Sequence, residues 1–365
     1  MKLFINGVDI SQDQDVRITQ CTLDTYANGY SDTLKVECGD SEKLWASWNL
    51  QCGDTIAVEG DDGFASGKMY VTKIARGNQY IRITGRSVPL SRNTSRYKKW
   101  QDVRLSEIGS EIASRLNLTF ENYDVQDYFY DELIQNNQSD LSFLSDLLAM
   151  ECAGLLVFND KLVAYDKAGM EKESVGELYI SVDGEYEFTS SMSNEYSSCT
   201  LHWSEYDEFE PQRFVQFVSK NGHPLEVNIE ASQSLPGIPL EKTKPEFTAP
   251  DDGWYRGQWY PDKVEYEGTA TADSLSPSSY YTDKVRVTSN DQAARWAKGI
   301  LRSKNENYIT GSFVRPLLGA YSAGTVVRLE FEMSPDLNGD YFIDHIFHNY
   351  KANRSVAYVH KCLRW

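Results

Sequence analysis

The sequence predicts a mainly β protein with α+β inserts, in which an antiparallel β-barrel at each end of the chain flanks laterally inserted domains. Three observations carry this expectation. Apolar and polar residues alternate through both ends of the 365-residue chain, the period of half-buried strands. Helical periodicity is confined to three short segments between those ends. The 8 Trp, 23 Tyr and 15 Phe make a Tyr-rich composition that suits pleated, half-buried surfaces. At roughly 100–200 residues per domain the length allows two to four domains.

Taken in order, Lys2-Leu3-Phe4-Ile5 reads as a strand running into an Asn6-Gly7 turn. Alternation follows over residues 33–38, 55–59, 68–74 and 80–84, punctuated by Cys52-Gly53-Asp54, Asp61-Asp62-Gly63 and Arg76-Gly77-Asn78. Residues 1–90 are therefore assigned to a first barrel. After Pro89 the pattern changes. Leu105, Ile108, Ile112 and Leu116 form one helical stripe, with Asp102 as its expected cap. A second helix is expected over 139–152, capped by Ser139 or Asp140, striped by Leu141, Leu144, Leu147 and Leu148, and closed by Gly154. Strands 154–158 and 161–165 join at Asn159-Asp160. These elements place a lateral α+β domain at 91–188.

Residues 189–215 and 278–365 are read as a second barrel, split by an inserted, extended, aromatic and Pro-rich domain at 216–277. Residues 211–277 hold eight of the eleven prolines, which remove ladder donors from any central strand. A third helix is expected over 290–304, where Ser289 and Gln292 have capping-box spacing and Ala293, Trp296, Ala297, Ile300 and Leu301 form the buried face. Strands 325–332 and 341–347 flank an Asn338-Gly339 hairpin turn, and a last strand covers 356–363. Gly53 and Gly324 each stand just before an alternating strand, a plan shared by both ends.

Lys+Arg 36 against Asp+Glu 54 gives a net charge of −18, which argues against sequence-specific nucleic-acid binding and against anionic membranes. No stretch of about 18 apolar residues is present, so no stable membrane insertion is expected. The N-terminus turns polar too soon for a signal peptide. The six cysteines, none in a C-x-x-C pair, read as free thiols of a reducing cytoplasm. No nucleophile elbow, zinc-protease, Walker A or dinucleotide motif occurs. No catalytic, cofactor-binding or metal residue is assigned. His345 and His348 are three apart on a strand and so face opposite ways, and Asp336-Leu337-Asn338-Gly339-Asp340 reads as a hairpin rather than a calcium loop. Residues 116–160 carry nine acids and no Lys or Arg, read as a solvated face. Trp254, Tyr255, Trp259 and Tyr260 are the candidate partner interface, with a sugar-stacking platform or a mini-core of the insertion as alternatives.

The segment Gln135-Asn136-Asn137-Gln138-Ser139-Asp140-Leu141-Ser142-Phe143-Leu144-Ser145-Asp146-Leu147-Leu148 resembles the signature of the phage late control protein D family, the central hub of contractile-tail baseplates. Three further segments fit it in order. Residues 100–118 resemble the preceding helix, with Asn117 where Gly is common. Residues 290–297 resemble its late Ala-rich helix, and residues 338–348 its closing hairpin, with His348 at a position often His. Only about 216–277 falls outside the resemblance.

The resemblance implies two tail-tube-like β-barrels per subunit and a structural, non-enzymatic hub without cofactors. It further implies a homotrimer whose six barrels join the six-fold tail tube to the three-fold central spike. The implied partners are the tail tube or tube-initiator protein, the central spike protein and baseplate wedge proteins, with the tape measure as a further neighbour. The implied location is the tail baseplate of a virion, or a bacteriocin particle, assembled in the bacterial cytoplasm. The type VI secretion spike protein shares the hub module and continues into a spike. Here the pattern runs to Trp365, so the spike is expected on a separate polypeptide. A trimer would carry 3 × (−18) = −54 charges, and acidic walls along its passage would repel DNA. The rival expectation is a cell-wall carbohydrate-active enzyme or a sugar-binding tail module.

Overall fold

The computed structural model describes residues 1–11, 16–60, 65–89, 92–172, 176–181, 184–212, 217–219, 224–225, 253–255, 260–272 and 277–365, with side chains at these positions except Leu44 and 205–263. The chain opens with β1 (Lys2–Ile5), which turns through Asn6 and Gly7 at φ 49° and 79° into β2 (Val8–Asp9). Five strands follow: β3 (Arg17–Tyr26), β4 (Thr33–Gly39), β5 (Thr55–Glu59), β6 (Met69–Arg76) and β7 (Tyr80–Arg86). They pair antiparallel in the order β3-β4-β7-β6-β5-β1-β2. The sheet curls around a core in which Leu3, Leu23, Val36, Ile56, Met69 and Ile83 are at most 1% exposed. All six cysteines of the chain are free, and burial of Cys21 and Cys38 in this core pushes both thiols up to about 12.

The lateral part comprises β8 (Ser95–Arg104), α1 (Leu105–Leu116), β9 (Thr119–Tyr123), β10 (Phe129–Ser139), α2 (Asp140–Met150), β11 (Gly154–Phe158), β12 (Lys161–Tyr165) and the single turn α3 (Lys167–Met170). β8 and β10 form a ribbon, and β11-β12-β9 a second small sheet in which β9 runs parallel to β12. The expected cap Asp102 lies outside α1, at φ 49°. Arg104 takes the cap position, and the Glu107 carboxylate accepts its N–H at 2.8 Å. α1 ends on Asn117 at φ 61°, where the N–H groups of Asn117 and Leu118 donate to the Ser114 and Ala113 carbonyls at 3.1 and 2.8 Å. α2 starts on the expected Ser139, whose Oγ accepts the Ser142 N–H at 3.4 Å. It ends in the same double closure on Cys152, at φ 59°, so Gly154 opens β11 rather than closing the helix.

The remaining strands are β13 (Gly176–Ile180), β14 (Tyr186–Ser190), β15 (Ser198–Gln212), β16 (Phe217–Ser219), β17 (Pro224–Leu225), β18 (Gly253–Tyr255), β19 (Tyr260–Thr271) and β20 (Ser279–Thr282). After α4 (Asn290–Asn305) come β21 (Ile309–Pro316), β22 (Val326–Phe331), β23 (Gly339–Asn349) and β24 (Arg354–Lys361). A second curled sheet runs β14-β21-β24-β23-β22-β13. Its interior holds Phe313, Val327, Tyr341 and Ile343, none of them exposed. The Phe188 ring of β14 reaches across that interior to lie 5.2 Å from both Phe331 and Tyr341. The two curled sheets are one: β23 pairs with β3, so that thirteen strands share a continuous ladder.

Pairing departs from the sequence-based boundaries at two places. β13 and β14, expected within the lateral domain at 91–188, belong to the second curled sheet, and β13 joins β22 in parallel, against the antiparallel expectation. β15, expected in the second barrel, instead pairs with β19 and β20 in a separate sheet on which α4 packs. Alternation identifies a strand but not its partner, and a parallel partner leaves no local turn signal. β19 also carries a ladder into the Pro-rich stretch: Pro211 and Pro261 face each other at the register shift of β15 and β19, where ladder donors are not all required. The Asn338-Gly339 pair makes no tight two-residue turn. Seven residues, three of them the short 3₁₀ turn Pro335–Leu337, separate β22 from β23, and the Asn338 side chain accepts the Phe331 N–H at 2.8 Å.

Gly299 of α4 crosses the end of α2, where an added Cβ would fall inside contact distance of the Met150 carbonyl. Helix propensity alone favours Gly299→Ala by about 1 kcal/mol. Overpacking against backbone costs about 1–3 kcal/mol. The expected result is a lower urea midpoint for Gly299→Ala; a raised midpoint would mean that the two helices are not in contact.

Candidate functional site

The chemistry of this chain is concentrated where its parts meet. At the junction of the two curled sheets, His345 of β23 stands opposite Tyr26 of β3 and Tyr358 of β24. The three rings stack, with centroids 4.5 and 5.0 Å apart, and Asp24 holds His345 Nε2 at 3.0 Å. His348 points the other way, fully buried, with Nδ1 2.9 Å from Ser355 Oγ. The loop after β3 is the second contact. Ala27 N–H donates to the Asp344 carbonyl at 2.9 Å, Gly29 N–H to Leu155 O at 2.8 Å, Ser145 Oγ to Asn28 O at 2.8 Å and Tyr165 Oη to Ala27 O at 2.8 Å. Three successive residues thus bind the second sheet, α2 and the β11–β12 hairpin. Gly29 has φ 76° and a Cβ there would meet Ser145 at 3.0 Å, so this position favours glycine. The hairpin tip answers from the other side, where Asp160 accepts from Lys68 at 2.8 Å and Tyr70 at 2.7 Å. In the same loop Asp32 is buried and accepts the Tyr26 N–H; burial pushes its carboxyl up to about 8.

Three buried carboxylates bind the lateral part together. Asp140, at the start of α2, is 0% exposed and is held by the Arg115 guanidinium through two 2.9 Å bonds, by Arg96 at 3.2 Å and by Gln135 at 3.0 Å. The Gln135-to-Asp140 stretch of the signature is therefore a lock between β10, α1 and α2 as well as a cap. Glu151, at the other end of α2, accepts from Tyr130 Oη at 2.9 Å, Trp296 Nε1 at 2.8 Å and Arg295 Nε at 3.1 Å. Glu171, just after α3, meets Arg302 of α4 at 2.8 Å and accepts the Leu363 N–H at 2.6 Å. This corrects in part the reading of residues 116–160 as a solvated face, which holds for the exposed Asp124, Asp131 and Asp146. Asp140 and Glu151 are buried, and Glu132 and Asp160 pair with Lys99 and Lys68. The sequence signal that could have revealed the pairing is the basic run just upstream, 68–104.

Glu171, Glu306 and His360 are the one group among the described residues whose ligand atoms, all within 4.8 Å of one another, could approach a common metal ion. The donor set does not fit. Arg302 already engages Glu171, and Lys167 engages Glu306 at 2.9 Å. Burial works to lower the pKa of His360, but Asp344, 2.7 Å from Nδ1, and then Glu171 outweigh it and raise it to about 9. Burial likewise opposes the charge on Glu171, yet His360, Arg302 and the Leu363 N–H together lower its pKa. Three carboxylates thus face Arg302, Lys167 and a protonated His360, a balanced set that a divalent ion would overcharge.

Of the predicted interface, Trp259 and the side chains of Trp254, Tyr255 and Tyr260 lie outside the described residues, although Trp254 pairs through its backbone with Val218 and Tyr260 with Gln212. Among the described residues no helix is long and apolar enough to cross a membrane.

No protein-family profile and no curated protein matches this sequence. Solved structures do. The chain is similar to the prophage MuSo2 43 kDa tail protein from Shewanella oneidensis, with a TM-score of 0.63 and 12% identity over 99% of this chain and 97% of that one. It is similar to a tail protein from Neisseria meningitidis MC58, with a TM-score of 0.63 and 9% identity over 99% and 95%. The E. coli c3393 protein, described as a type VI secretion component with structural similarity to the T4 bacteriophage tail proteins gp27 and gp5, aligns with a TM-score of 0.54 and 9% identity over 99% and 77%. The chain therefore has the fold of phage tail proteins and of this tail-like secretion component, in keeping with the resemblance to the late control protein D family.

The pKa directions fix a pH dependence. His360 rises from 6.5 to about 9 on folding and Asp32 from 3.8 to about 8. Both raised groups bind their proton more tightly in the folded state. Their stabilisation is complete below the unfolded pKa and is lost as pH climbs through the folded one. The thermal midpoint is expected to fall steadily from about pH 6.5 to 9, and His360→Gln to flatten that decline. A midpoint that is flat or rising over this window in the wild type would overturn the assignment.

Proposed function

We propose that this chain is the structural hub of a contractile-tail baseplate, a non-enzymatic homotrimer joining a six-fold tail tube to a three-fold central spike. The observation that carries this reading is the continuous ladder in which two curled sheets, each with its own core, are fused through β3 and β23. Two such units per chain and three chains give six similar units around one axis, the number a six-fold tube requires. The fold shared with phage tail proteins supports a tail role. In this reading the lateral part, with α1, α2 and α4, braces each hub subunit from outside. The stretch 216–277, with Trp254, Tyr255, Trp259 and Tyr260, provides contacts to neighbouring subunits or baseplate wedges. The particle is a phage tail or a tail-like bacteriocin, and the spike, tube and wedge proteins are its partners.

Multi-angle light scattering of the purified chain, alone and co-expressed with the spike protein from the same gene cluster, tests this. A species of three subunits is expected, at the latest in the presence of the spike. A strict monomer under both conditions would sink the hub reading.

A further inference from the structure

The charges of this chain are segregated along its sequence. Residues 68–104 contain ten Lys or Arg and a single acid, Asp102, whereas residues 173–212 contain ten Asp or Glu and no Lys or Arg. Much of the basic run is used internally, since Lys68, Arg96, Lys98 and Lys99 pair with Asp160, Asp140, Glu111 and Glu132 of the lateral part. Of the rest, Lys73, Arg82 and Arg86 lie with Lys35 on the outer face of the first curled sheet. By register Lys35 of β4 stands opposite Thr84 of β7, which stands opposite Lys73 of β6, and Arg86 lies one pleat along, opposite Thr33. Lys35 and Lys73 are exposed, and none of these three cations has an ion-pair partner among the described residues. The neighbouring Arg82 is neutralised by Glu37 at 2.5 Å.

The edges of the second curled sheet carry more acid than base, with Arg328 standing opposite Glu177 and shared between Glu330 and Asp340. The sheet's two free edges are β13 and β14, and they carry the exposed acids Glu177 and Glu187, with Glu185 on the connection between them. Glu332 follows β22 beside β13, and Tyr186 Oη, 2.9 Å from Ser334 Oγ, brings β14 against the same loop as Asp336. Glu185 has a partner in Arg354, but at 68% and 50% exposure that pair contributes little.

We propose that copies of this chain dock head to tail, the basic outer face of the first curled sheet of one copy, through Lys35, Lys73 and Arg86, against the acidic free edges of the second curled sheet of the next, through Glu177, Glu185 and Glu187. The proposal rests on the trimeric hub reading and names the surfaces that would make it. A closed ring needs two different, complementary surfaces on every chain, and the acid end coincides with the only unpaired edges of the second sheet among the described residues. Opposite charge at this range sets orientation and speeds encounter more than it adds affinity, and it is screened within about 8–10 Å at physiological salt.

The full-length chain is followed by sedimentation velocity at about 50 mM and about 500 mM salt, as wild type, as Lys73→Glu with Arg86→Glu, as Glu177→Lys with Glu187→Lys, and with all four reversals. Circular dichroism checks that these substitutions, three at exposed positions and one at the half-buried Arg86, leave the fold intact. Each double reversal is expected to weaken trimer formation at least about tenfold at low salt, and the fourfold reversal, which restores opposite signs, to recover most of it. A trimer that survives both double reversals unchanged overturns this inference while leaving the hub reading intact. A wild type that is monomeric alone and trimeric only with the spike protein also overturns it. A monomer under both conditions removes both.

Discussion

The architecture turns on one irregularity in β23. Five of its residues, His345–Asn349, pair with five of β3, while its first residues pair with β22 and the strand from Tyr341 onward with β24. The change of partner falls at the bulge between Ile343 and His345. A bulge leaves one residue out of the ladder and re-aims its groups. Here that residue is Asp344, and both of its freed groups are used. Its carbonyl accepts the Ala27 N–H from the first sheet, and its carboxylate holds His360. The same residue thus connects the fusion of the two sheets to the buried ion cluster that anchors α3, α4 and the residues after β24. A regular strand at this point would supply neither connection.

The second organising device is the use of buried carboxylates as joints. α2 has one at each end. Asp140 at its N-terminus gains from the helix dipole as well as from Arg115 and Arg96, whereas Glu151 at its C-terminus works against the dipole and needs Arg295, Trp296 and Tyr130 to hold it. Such pairs add little net stability compared with an apolar contact, yet removing one partner costs about 3–5 kcal/mol because a bare charge remains. Their contribution is therefore geometric: each accepts only the arrangement that brings every donor into place. Together with the 27–29 loop they fix the lateral part on both curled sheets.

What was legible in the sequence was local. The Leu105-to-Leu116 stripe, the Ser139 and Ser289 caps and the Asn6-Gly7 hairpin all depend on residues within a turn or two of one another, and all are present. The partners of β13 and β15 were not legible, because Gly176 meets Val327 and Ser198 meets Thr271 across long separations in sequence with nothing local to record it. Asn338-Gly339 failed as a turn signal for a chemical reason: the Asn338 amide reaches Phe331 N–H and Glu330, which closes a longer loop. The joints were half visible. The family signature marked Gln135, Ser139 and Asp140, but the role of Asp140 depends on Arg115 and Arg96, whose approach only the folded chain creates.

Net charge was the least informative of the sequence-level quantities. A value of −18 suggests an acidic surface everywhere, and hence acidic walls for any passage. The register across the joined sheet assigns a different composition to its outer face. Glu187 stands opposite Ser312, Ser312 opposite Tyr358, Tyr358 opposite His345 and His345 opposite Tyr26, while Lys35 and Arg86 lie further along. One face thus runs from acid, through a stacked aromatic centre, to base. Several acids that set the total are spent inside, on Arg302, Arg115 and Arg295, or against the basic run that begins at Lys68. The sum over a chain carries no sign for any one of its faces; strand register and pairing assign it.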